Sequence, residues 1–180
     1  RLGTLIDALL SLQRLSRQPP ARTHARLDEA VDDVLTWLRS EQPGREIDIT
    51  VDDLGEAEID PALIRLALAN LLSNAMKFTR GRNPARIRVG SMQRDGERVY
   101  FVQDNGAGFD MRFADKLFGV FQRLHPEAEY EGSGIGLASV YRVIQRHGGR
   151  IWAEGEVDRG ATFFFTLGES GGESVPVLDC

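Results

Sequence analysis

Cysteine is all but absent. Cys180, the last residue, is the only one, so neither a disulfide framework nor a cysteine-based metal site can form within the chain, and a reducing compartment fits. Long apolar runs are missing too: none approaches the ~20 residues of a membrane span, and the N-terminus carries no signal-peptide pattern. Basic clusters are lacking, because 22 Lys and Arg are scattered among 27 Asp and Glu for a net charge of −5. That distribution argues against a nucleic-acid surface while leaving phosphate on a small ligand open. A starting methionine is also absent, and the sequence from Arg1 reads as the soluble, cytoplasmic end of a longer protein. What is present is ordinary globular composition, 42% hydrophobic and 27% charged over 180 residues, enough for one substantial core.

The organising stretch is Gly132-Ser133-Gly134-Ile135-Gly136-Leu137, where glycines at alternate positions run into an apolar segment of helical spacing. Glycine admits a ligand close to the backbone, and a helix start offers unpaired N–H donors with a partial positive charge, so together they form an anion cradle. A plain turn is the competing reading. No lysine follows the glycines, which removes a Walker-type phosphate loop. A dinucleotide fingerprint has its acidic residue in Glu154 but lacks the preceding strand, since Pro126-Glu127-Ala128-Glu129-Tyr130-Glu131 is unsuited to a buried one.

Before that stretch, Leu2, Leu5, Leu9 and Leu12, widened by Ile6 and Leu10, mark a helix ending near Pro19-Pro20. It reads either as the tail of a helical hairpin or as a helix folded onto the domain. Leu27, Val31, Val34, Leu35 and Leu38 mark a second helix, closed around Gln42-Pro43-Gly44. Ile47, Ile49 and Val51 alternate as a strand. Asp60-Pro61 reads as an N-cap with proline in the first turn of a long helix to about Phe78. That helix is apolar nearly all round, yet Asn70, Asn74 and Lys77 fall on one side of it at i, i+4 and i+7. Buried amides need partners, so these either cap neighbouring backbone or face a polar ligand.

Two strands, around Ile87–Val89 and Val99–Gln103, are joined by a turn at Arg94-Asp95-Gly96. The second empties into Asp104-Asn105-Gly106-Ala107-Gly108-Phe109, which is either a common turn or a carboxylate held at the mouth of a sheet. Asp110 to Glu131 reads as a lid or binding loop, with Phe118 and Phe121 available to staple it. A helix through Ile144 ends at His147-Gly148-Gly149, and strands at Arg150–Ala153 and Ala161–Leu167 close the core before a Gly-, Glu- and Ser-bearing tail.

Four of these segments resemble the N, G1, F and G2 boxes of sensor histidine kinases, in that family's order and spacing. They are Asn70-Leu-Leu-Ser-Asn74-Ala-Met-Lys77-Phe-Thr79, Asp104-Asn-Gly-Ala-Gly108-Phe109, the Phe118/Phe121 segment, and Gly132-Ser-Gly-Ile-Gly136-Leu137. The resemblance spans about Leu27 to Leu167, with Asp104–Leu124 most similar to kinases fused to phytochrome or PAS-type sensors. It implies an α+β fold, a two-layer sandwich with a mixed sheet covered on one face by helices. Residues 1–20 would be the end of a dimerization helix and linker, 21–168 the ATP-binding catalytic domain, and 169–180 a flexible tail.

The resemblance also implies roles. Asp104 accepts a hydrogen bond from the adenine amino group, with Thr162 assisting, and Gly106 and Gly108 line the adenine side. Asn74 ligates Mg²⁺, while Asn70 and Lys77 lie near the phosphates. Gly132, Ser133, Gly134, Ile135, Gly136 and Leu137 run along the triphosphate, and Arg123 steadies the γ-phosphate. Asn70, Lys77 and Arg123 are thus the implied catalytic residues, and the chemistry is phosphoryl transfer by positioning and charge stabilisation. The gyrase and chaperone branch carries a glutamate where Asn70 stands, so transfer is favoured here over hydrolysis. No His-Glu/Asp-x-x-x-Pro-like box surrounds His24, His125 or His147, so the acceptor histidine is expected before Arg1. The expected partners are a second copy through an upstream helical hairpin, a response regulator receiver domain and an N-terminal sensor domain. A non-catalytic nucleotide-binding module is the first alternative, and a dinucleotide enzyme the second.

Overall fold

A computed structural model describes residues 20–42, 44–122 and 134–168. The proposed N-terminal helix, Arg123, His125, Gly132, Ser133 and the tail from 169 lie outside these residues.

After a short strand β1 (Thr23–Arg26), helix α1 (Leu27–Glu41) buries Leu27, Ala30, Val31, Val34, Leu35 and Leu38, the three- and four-residue spacing of a single stripe. Strands β2 (Ile47–Val51) and β3 (Glu56–Ile59) follow, then helix α2 (Pro61–Phe78). Helix α2 begins where Asp60 allows it: one carboxylate oxygen accepts from the N–H groups of Ala62 and Leu63, and Pro61 gives up no needed donor. At its other end Arg45 donates to Met76 O at 2.5 Å and to Thr79 Oγ1 at 3.0 Å, supplying donors to a helix terminus that has too few. Strands β4 (Ala85–Arg94) and β5 (Glu97–Asp104) form the expected hairpin, with Asp95 and Gly96 both at positive φ, as a tight two-residue turn requires. A 3₁₀ turn (Met111–Lys116), helix α3 (Gly136–Arg146) and strands β6 (Ile151–Glu156) and β7 (Gly160–Thr166) complete the described chain.

Five strands make one mixed sheet in the order β2-β4-β5-β7-β6, parallel only between β2 and β4. Alternation decides its two faces. Ile87, Val89, Tyr100, Val102, Phe163 and Phe165 join α1, α2 and α3 in the main core, whereas Val99, Phe101 and Phe164 form a small cluster with Trp152 on the opposite face. All three helices therefore cover the same side, as the resemblance implied.

One element was not foreseen. Strands β1 and β3 pair antiparallel as a separate ribbon, with Thr23 opposite Ile59 and Arg26 opposite Glu56. The lid segment also differs from a structureless loop, since Asp110 caps the 3₁₀ turn through Arg112 N at 2.9 Å. No described helix is long and apolar enough to cross a membrane.

Candidate functional site

The sheet delivers Asp104 to one edge of the core as the last residue of β5. It is only 6% exposed, and its Oδ1 accepts from the N–H of Gly106 at 2.8 Å. Burial pushes its carboxyl up to about 6, against the pull of backbone donors at Gly106 and Ala161 and of the Arg82 guanidinium. A largely buried carboxylate that neighbouring N–H groups only partly satisfy is ready to accept from a ligand donor.

The loop after Asp104 is fixed on three sides. Ala107 N donates to Phe78 O at the end of α2, Asp158 N donates to Ala107 O at 2.7 Å, and the Asn105 amide bridges Arg86 N and Pro84 O. Gly108, at φ +64°, passes so close to the β6–β7 turn that a Cβ would lie 1.9 Å from Glu156 O. Phe109 leads the chain back into the core against Phe163.

Helix α2 lines the next wall. Asn70 Nδ2 donates to Leu66 O at 2.9 Å, which leaves Oδ1 directed at Gly136, where an added Cβ would lie 2.7 Å from it. Gly136 is therefore small because α2 and α3 meet there. The Asn74 side chain is half-buried and makes no hydrogen bond among the described residues. Lys77 lies over the ring of Phe78, 4.3 Å from its centroid.

Gly136 is the first residue of α3, and Ile135 before it supplies no side-chain cap. The first-turn N–H groups, those of Gly136 and Leu137 among them, consequently have no intrahelical acceptor and present a partial positive charge. Ile135 itself is 1% exposed and Leu137 packs on the core, so these two anchor the stretch. Gly134 O accepts from Phe121 N at 3.0 Å, joining the two flanks of residues 123–133. Phe118 packs on the core and lies 6.2 Å from the Tyr141 ring, whereas Phe121 is 58% exposed. The stapling is thus done by Phe118.

Thr162 is not brought to Asp104. Across the β5–β7 pairing Asp104 stands opposite Ala161, and Thr162 stands opposite Gln103, so its side chain projects from the other face of the sheet. The resemblance placed it one residue out of step. Arg82, which sequence reasoning passed over, reaches this region from the α2–β4 connection, and only its partners' positions reveal it.

Both described histidines are held by neighbours within the chain. His24 is exposed between Glu56 and Glu58, which hold its imidazole above the usual range. His147 is fully buried: Nε2 accepts from Asp60 N at 3.0 Å and Nδ1–H donates to Val143 O at 2.8 Å, a pairing that requires the neutral ring.

Residues 59–171 match the family described as histidine kinase-, DNA gyrase B- and HSP90-like ATPases. The chain belongs to this family. Membership in these ATPases sets aside the dinucleotide alternative. Among curated relatives, cyanobacterial phytochrome A of Nostoc is 36% identical over 96% of this chain, and phytochrome-like protein Cph1 of Synechocystis is 35% identical over 92%. The chain spans 22% of the length of each. Among solved structures, the mycobacterial sensor histidine kinase MprB superposes with a TM-score of 0.68 at 26% identity, covering 82% of this chain and 97% of that one. The catalytic domain of histidine kinase ThkA gives 0.66 at 25% identity, covering 81% and 94%. The fold is that of histidine kinase catalytic domains.

Proposed function

We propose that residues 21–168 form the catalytic domain of a two-component sensor histidine kinase, which binds Mg-ATP and transfers its γ-phosphoryl group to a histidine preceding this chain. Residues 1–20 would end the dimerization helix and 169–180 form a tail. The observation that carries the reading is the Asp104 carboxylate, buried at the end of the central strand, with its loop held to the C-terminal end of α2 at Phe78. Adenine offers an exocyclic amino group to that carboxylate, whereas guanine offers a carbonyl that would face it with like polarity. The phosphates would then extend toward the uncapped start of α3 and Lys77, with Gly132, Ser133 and Arg123 completing that side.

The residues present fit Mg²⁺. Asn74 and Asn70 offer hard amide oxygens, which suit an ion that keeps several waters and shares substrate phosphates. When bound, Mg²⁺ would offset phosphate charge during transfer. The protein's own part is to orient the nucleotide and hold the triphosphate in line, and no carboxylate replaces Asn70 to activate water. A second copy, a response regulator receiver and an upstream sensor are the partners this reading entails, in the cytoplasm.

The test is labelling of the full-length protein with γ-labelled ATP and Mg²⁺. Acid-labile, base-stable label on a histidine outside this chain is expected, while the 180-residue chain alone binds ATP and stays unlabelled. Binding without any label on the full-length protein would leave a nucleotide-sensing module in place of a kinase.

A further inference from the structure

We propose that Arg82 is a positioning residue for the nucleotide, locking the loop after Asp104 to the β6–β7 turn so that the adenine meets a preformed wall; the proposal rests on the ATP reading above. Its Nη2 donates to Gly106 O at 2.9 Å and to Asp158 O at 2.6 Å, and the guanidinium faces Asp158 Oδ1 at 3.5 Å. These contacts belong to a closed circuit. Gly106 N holds Asp104 Oδ1, Asp158 N holds Ala107 O, and Ala107 N returns to Phe78 O on α2, the helix that leads into Arg82's own connection.

Carbonyl oxygens only accept, so Gly106 O and Asp158 O cannot hold each other. A donor between them is required, and the two protons on the Arg82 Nη2 supply charge-assisted bonds to both. Without Arg82 the two carbonyls turn to water, and the Asp104 loop keeps only its backbone tie to the β6–β7 turn, from Asp158 N to Ala107 O. The same cation also favours the ionised carboxylate of Asp104, the form that accepts from adenine. Burial acts most strongly on Asp104 and in the opposite direction, with backbone donors at Gly106 and Ala161 and then the Arg82 charge pulling the carboxyl back down.

The experiment is calorimetric titration of the 180-residue chain with ATP and with ADP across mildly acidic to neutral pH, for wild type, Arg82→Gln and Arg82→Lys, with urea unfolding of each. Arg82→Gln is expected to weaken ATP and ADP equally, by roughly tenfold, because the lock serves the adenine half that both share. It should also raise the pH at which affinity begins to fall. Arg82→Lys should restore that pH while recovering only part of the affinity, since an ammonium on a flexible stem lacks the planar group that orients Nη2 between the two carbonyls. Wild-type affinity in Arg82→Gln, or weaker binding with an unmoved pH profile in both variants, overturns the proposal. If Arg82→Gln does not fold, Arg82→Lys decides: ATP and ADP weakened equally with a wild-type pH profile supports the proposal, and wild-type affinity or a loss confined to ATP overturns it. Failure of the wild-type chain to bind either nucleotide would overturn the ATP reading itself, and this proposal with it.

Discussion

Asp104 concentrates the chemistry that single residues contribute. Its carboxyl, raised from 3.8 to about 6 chiefly by burial, is ionised at neutral pH but takes up a proton as pH falls through that value. A protonated carboxyl accepts poorly from an amino group, so ATP affinity should decline below about pH 6 and be flat above it. Asp104→Asn should weaken binding at neutral pH, by roughly tenfold or more as expected for a charge-assisted bond, and should remove this pH dependence. Titration calorimetry across pH checks both, and a variant that keeps wild-type affinity would remove the adenine assignment.

At the scale of elements, α2 and α3 are joined end to end by His147. The imidazole closes the C-terminus of α3 and accepts the N–H of the residue that caps α2. Burial lowers its pKa below 6.5, so the unfolded chain binds a proton more readily than the folded one. Stability from this group is full above pH 6.5 and is lost as pH falls below it. Asp104 acts with the opposite sign, because the folded state holds its proton more tightly than the unfolded chain does. Urea unfolding of His147→Gln against wild type separates them: the variant should lose roughly 1–3 kcal/mol at neutral pH and show less acid loss. A variant as stable as wild type would remove the linking role.

The legibility of the elements followed the range of their causes. Helix α2 could be read because Asp60, Pro61 and the apolar run act within a few residues of one another. Strands β1 and β3 could not, since four-residue segments with polar and charged positions gain stability only from pairing, and His24 meets Glu56 across 32 positions. Thr162 failed for a related reason: one residue of register selects the face, and register belongs to the β5–β7 pair rather than to either strand. Arg82 was hidden because its partners are carbonyl oxygens 24 and 76 residues away, which every residue type possesses alike. The glycines were legible as a motif but not in function, since Gly136 makes room for Asn70.

Across the whole molecule, helices on a single face of the sheet leave one edge where the end of β5, the Asn-bearing side of α2 and the start of α3 converge. On the proposed reading, a carboxylate, two amides and the first-turn N–H groups of α3 would serve one site, the arrangement an adenine nucleotide with Mg²⁺ requires. Residues 59–171 match the histidine kinase-, DNA gyrase B- and HSP90-like ATPases, and histidine kinase neighbours share the fold. The central claim is adenine-selective, Mg²⁺-assisted nucleotide binding, and titrating the chain with ATP and with GTP at neutral pH, with and without Mg²⁺, tests it most directly. Saturable ATP binding that strengthens with Mg²⁺, with GTP weaker by a hundredfold or more on the order expected when a polar site is mismatched, is the expected result. Equal binding of the two nucleotides, or none of either, would contradict it.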